Sequence, residues 1–153
     1  MTNRKLNSIV WALCLLMLLF GGSVFGETPC TIQITNPTVD GGIITNTGVL
    51  AGQNLFTFTV AGTAANVGKG KICLYIQRQD SPPWWRSGKP IQADKIVNGQ
   101  WKVTTATCGP STSPHAACSV RAVVQTDCPQ SGERVQEIAA FNCSSQTITI
   151  KTK

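Results

Sequence analysis

An all-β, two-sheet sandwich cross-linked by disulfides is what the mature part of this sequence predicts, and three observations predict it. Short runs rich in Thr, Val and Ile alternate with Gly, Asn and Pro punctuation from residue 28 onward, the pattern of many short strands. No stretch beyond residue 26 keeps a helical apolar period over successive turns, which argues against a helical core. Of seven cysteines, Cys14 falls in an apolar leader and the other six form an even set: Cys30, Cys73, Cys108, Cys118, Cys128 and Cys143. An even set behind a leader is typical of exported, cross-linked domains.

Residues 1–26 divide as a secretory signal does. Arg4 and Lys5 supply a basic start, and Ile9 to Phe20 form an uncharged apolar stretch. Gly21, Gly22 and Ser23 break a helix, and Val24-Phe25-Gly26 prepares a cut before Glu27. The apolar stretch falls short of the roughly 20 residues of a full bilayer span. Membrane contact is therefore expected only if the leader stays uncleaved. The mature chain, residues 27–153, is expected to be one domain with a real core. Its expected place is secreted, periplasmic or at the cell surface.

Without Arg4 and Lys5, eleven Lys and Arg face seven Asp and Glu, a net charge of about +4. The basic residues are scattered with no run of three. Nucleic-acid binders cluster such charge, so nucleic acid is not an expected partner. Anionic glycans or envelope polymers remain compatible with the sign of the charge.

The expected strands are, in order, Thr31–Thr35, Ile43–Asn46, Asn54–Val60, Lys71–Arg78, Gln100–Ala106, Cys118–Gln125 and Thr147–Lys151. Phe56, Phe58 and Val60 share one parity, as do Ile72, Leu74 and Ile76, then Val120, Ala122 and Val124, then Ile148 and Ile150. Each set is expected to face a common core while the alternate residues face water. Turn signals separate them at Asn36-Pro37, Asp40-Gly41-Gly42, Asn98-Gly99, Gly109-Pro110 and Ser131-Gly132. Asn98-Gly99 reads as a tight hairpin that places Trp101 in the core.

The fragments Ile34-Thr35-Asn36-Pro37, Asp40-Gly41-Gly42, Val60 to Ala64, Ile72 to Ile76, Asn98 to Trp101 and Val120 to Val124 follow one another in a familiar layout. That layout resembles the bacterial Ig-like modules, akin to fibronectin type III, of secreted and cell-surface proteins. The resemblance covers most of residues 31–153 and implies an antiparallel Ig-like sandwich of about seven to eight strands. It carries over no functional residue. The extra cysteines and the long segment Cys128–Cys143 depart from the usual module.

Six cysteines admit fifteen pairings. An Ig-like layout implies Cys30 with Cys143, Cys73 with Cys128, and Cys108 with Cys118. Chain entropy then gives roughly 4–5 kcal/mol for the widest loop and about 2–3 kcal/mol for the narrowest. A zinc site is not expected, because no tight CxxC spacing occurs.

Catalysis is not expected either. His115 is the only histidine, and Ser111 or Ser113 beside it lack a nucleophile elbow and an ordered acid. Seven acids, several of them in turns, offer no dedicated carboxylate pair. Asp40 stands in no alternating acidic run of the kind that holds Ca²⁺, and no cofactor is implied.

The segment Ser81 to Pro90 is the best binding candidate. Trp84 and Trp85 with Arg86 offer flat apolar faces beside a guanidinium fork, in a loop stiffened by proline, with His115 on the same rim. Two adjacent side chains of an extended chain point oppositely, so one indole is also a core candidate.

The resulting expectation is an exported, non-catalytic Ig-like module for adhesion, envelope architecture or protein-partner binding. A self-assembling surface subunit is one variant, with Thr147–Lys151 adding to a neighbour's sheet as a homo-oligomer forms. The alternative is a carbohydrate-binding module acting through Trp84 and Trp85, with a glycan as the partner at the envelope.

Overall fold

The computed structural model describes residues 28–153 except 39–40, 46–47, 51–54, 82, 111–116, 136–137, 139–142 and 153. The expectations for the leader, Asp40, Ser111, Ser113 and His115 lie outside the described residues. Ten strands are present among the described residues: β1 (Thr31–Asn36), β2 (Gly42–Ile44), β3 (Gly48–Leu50), β4 (Leu55–Ala65), β5 (Lys71–Arg78), β6 (Trp84–Gln92), β7 (Gln100–Pro110), β8 (Ala117–Gln125), β9 (Arg134–Val135) and β10 (Ile148–Thr152). A 3-10 turn, Ala93–Lys95, follows β6. Strands β3, β6 and β9 exceed the seven expected.

The strands form two sheets. In the first, β4 is central, with β1 and β3 along one edge and β7 along the other, because β1 and β7 both pair with Ala61 to Thr63 of β4. The second runs β2-β10-β8-β5-β6-β9. All its pairings are antiparallel except β2 with β10. The terminal strand β10 lies between β2 and β8 of its own sheet. The Asn98-Gly99 hairpin leads into β7, with both turn residues at positive φ and Val97 and Gln100 bonded to each other across it. Positive φ at both residues is what a two-residue turn closing the Val97–Gln100 bridge requires.

Between the sheets lies the main core, which includes Phe58, Val60, Ile72, Leu74, Ile76, Trp101, Val103, Val120, Ala122 and Ile150. Cys108–Cys118 ties the end of β7 to the start of β8. Cys30–Cys143 ties the lead-in of β1 to the opposite end of β8, where the Val124 amide donates to the Cys143 carbonyl.

The alternation rule fails on the outer face of the second sheet. Cys73, Tyr75 and Val123 were expected to face water, yet all three are buried. The chain after β8 folds back against that face as a strap. It adds β9 beside β6, packs Val135 and Ile138 on the cluster, and returns to β8 at Ser144. The Cys73–Cys128 disulfide fastens the strap to β5. A second, smaller core results, built from Cys73, Tyr75 and Val123 with Trp84, Cys128, Val135 and Ile138 packed around them.

Tyr75 sits in this second core with its hydroxyl 2.8 Å from Nε2 of Gln125, which donates to it. Burial pushes the phenol above its ordinary 10.0, against the opposing effects of the Gln125 bond and the Arg86 charge. A raised folded-state value means that this contribution to stability is complete below pH 10 and is lost as pH climbs through the folded value. Tyr75 is the sole tyrosine, so phenolate absorbance reports it alone. The folded protein should titrate above 10 and the reduced, denatured chain near 10. A folded midpoint at 10 would contradict the sealed second core.

Candidate functional site

The segment from Ser81 to Pro90 is not a loop beyond its first residues, because β6 begins at Trp84. Gly88 and Pro90 made it read as a loop in the sequence, and both are absorbed by an irregularity. Between the Ile72–Ile91 and Leu74–Ser87 pairs, β6 spends two more residues than β5. Gly88 supplies the positive φ for that kink and has no Cβ to strike Val103 on β7.

Strand alternation then separates the two indoles. Trp84 packs in the second core beneath the strap. Trp85 lies opposite Ile76 and lines the flank where β6 approaches β7. Arg86 is opposite Tyr75 and only 8% exposed. Thus the three neighbours expected to act together are divided: one indole is structural, one borders a groove, and the guanidinium is buried on the Tyr75 side of the strand. Burial lowers the Arg86 pKa from its ordinary value, opposed by Tyr75 and Glu133.

The groove beside Trp85 has a volume of about 610 Å³, within the roughly 300–1,000 Å³ of ligand sites. Its apolar floor comes from Leu55, Ile76 and Trp85, and its rim carries Arg78 and Lys89. Ser87 closes the junction of the two sheets. Its Oγ accepts from the Thr107 amide at 2.9 Å and lies 3.3 Å from the Thr107 hydroxyl. From β9, the Arg134 guanidinium stands 4.6 Å from the Trp85 ring centroid, a cation–π contact that orients the indole.

Several backbone groups at this junction are already engaged. The Arg86 amide donates to the Glu133 carbonyl, and the Arg86 carbonyl accepts from the Gly132 amide at 2.9 Å. Arg86 also donates through Nη1 to the Gly88 carbonyl, and Arg78 through Nη2 to Asp80. Their Nε–H groups are buried with no partner among the described residues.

Ser87 and Lys89 belong to the candidate segment Ser81 to Pro90, whereas Arg78, Thr107 and Arg134 lie outside it. Reading β6 as an alternating strand would have exposed Ser87 and divided the tryptophans. Arg134 carried no local signal, because its place depends on the strap returning to β6. Among the described residues, no group of three His, Cys, Asp or Glu side chains gathers as a metal site. A comparison with protein-family models, curated proteins and solved structures returns no match.

Proposed function

We propose that this chain is an exported, non-catalytic module of the Ig-like kind that binds a partner at the cell envelope through the groove beside Trp85. The single observation that carries the reading is Trp85 itself, an indole held at the border of a sizeable groove by Arg134 while its neighbour Trp84 is spent on packing. Export is supported by the signal-like residues 1–26 and by three disulfides, which suit an oxidising compartment. The Ig-like part is supported by the strand order. A β1-β4-β7 sheet faces a β10-β8-β5-β6 run, which corresponds to the A-B-E and G-F-C-C′ arrangement of that plan. Binding is preferred to assembly through the terminal strand because β10 is hydrogen-bonded on both sides at home.

The test uses labelled, oxidised mature protein (residues 27–153) mixed with isolated cell-envelope material of the producing organism. Wild type should be retained, and Trp85→Ala should lower retention about tenfold, the loss of one interfacial anchor. Lys69→Ala, on a turn away from the groove, should leave it unchanged. Equal retention of Trp85→Ala and wild type would remove the groove from the reading, and no retention of wild type would remove envelope binding.

A further inference from the structure

Resting on that reading, we propose that the Trp85 groove binds an anionic sugar chain, with a ring seated against the apolar floor and its carboxylate or sulfate groups held by the cationic rim.

Charge comes first. Among the described residues the lining includes Arg78, Arg86 and Lys89 and no Asp or Glu, and Arg134 adds a fourth cation over Trp85. Asp80 offsets Arg78 and Glu133 acts on Arg86, both from outside the lining. A recess with one sign of charge and apolar walls concentrates its field on an incoming counter-ion. Arg86 is more than nine-tenths buried and donates to the Gly88 carbonyl, so the cations within reach of a ligand are Arg78, Lys89 and Arg134. Guanidinium pairs with carboxylate or sulfate oxygens are strong, charge-assisted bonds.

The rest of the lining selects a sugar over an acidic peptide. A peptide commonly docks in such a flank by adding a strand to an open sheet edge. Here the Thr107 amide is taken by Ser87, and both backbone groups of Arg86 are taken by residues 132–133. With those three backbone groups occupied, the lining offers side chains for recognition: an indole, cations, and the hydroxyls of Thr105 and Ser131. An aromatic face flanked by cations and hydroxyls fits a ring that is apolar on its face and bears hydroxyls and an acid at its periphery.

The experiment titrates oxidised residues 27–153 calorimetrically with four probes: an oligogalacturonate, sulfated dextran, unmodified dextran and polyglutamate. One or both anionic glycans should bind at least about tenfold more tightly than dextran and polyglutamate, and the better of the two tells carboxylate from sulfate. Trp85→Ala should weaken that binding about tenfold. Lys89→Gln with Arg134→Gln should do the same and flatten the dependence on salt, and Lys89 is exposed enough to change without unfolding the domain. Dextran binding as tightly as the charged glycans, with the Trp85→Ala loss intact, would overturn the anionic ligand and leave the groove as a binding site. Polyglutamate equal to the glycans, insensitive to Trp85→Ala, would overturn the ring-seating and the groove together. No binding of any probe would overturn the sugar inference, while envelope retention lost in Trp85→Ala would still uphold the earlier reading.

Discussion

Replacing Cys73 and Cys128 together by alanine should lower stability by about 4 kcal/mol. The bridge closes a loop with a sequence separation of 55, for which the chain-entropy relation gives roughly that value. The loss has a local signature as well as a global one. Cys73 is fully buried beside Tyr75 and Val123, and the bridge fastens the strap that seals them. Without it, water reaches the phenol and the Tyr75 midpoint should fall back toward 10, whereas removing Cys108–Cys118 should lower stability by only about 3 kcal/mol and leave Tyr75 unchanged. Denaturant unfolding gives the first quantity and phenolate absorbance the second. A double variant that keeps both its stability and its high Tyr75 midpoint would show that packing alone holds the strap.

Gly62→Ala should cost about 3 kcal/mol, toward the upper end of overpacking effects, and lower the melting temperature by about 10 °C. Gly62 lies on β4 between its pairing partners Ile34 on β1 and Trp101 on β7. A Cβ there would collide with the Gln33 backbone carbonyl and come within 2.5 Å of Cζ2 and 2.7 Å of Cε2 of Trp101. Neither neighbour can yield easily. The carbonyl belongs to a paired strand, and the indole is 2% exposed within the main core. The absence of a side chain is thus what lets Trp101 lie across β4. Thermal unfolding checks the magnitude, and a change below about 1 kcal/mol would mean that β1 can shift away from β4 at small cost.

The difference between what could and could not be read is clearest in β5 and β6. Lys71–Arg78 was legible to the residue because Ile72, Leu74 and Ile76 alternate without interruption. Yet the same pattern assigned Cys73 and Tyr75 to water, and they are buried. Period-two alternation reports which residues share a face; it is silent on whether a later segment covers the other face. β6 failed for the opposite reason. Its glycine and proline signal a loop, but a two-residue irregularity against β5 accommodates both within a paired strand. Of the candidate site, Trp84, Trp85 and Arg86 were visible as chemistry, while their separation onto different faces required the strand. The third part, Arg134 over Trp85, was invisible because the residues are far apart in sequence and meet only through the strap.

What the sequence determined by itself is local or compositional. Alternating apolar parity, turn residues and the even cysteine set are enough for an all-β, two-sheet chain with disulfides, because each depends on backbone sterics or on counting. Only the tertiary structure decided that the segment after β8 returns to β6, that it buries a second core, and that Trp85 rather than Trp84 borders the groove. These outcomes depend on contacts between distant residues, and burial follows from what finally lies above a face rather than from the face's own pattern.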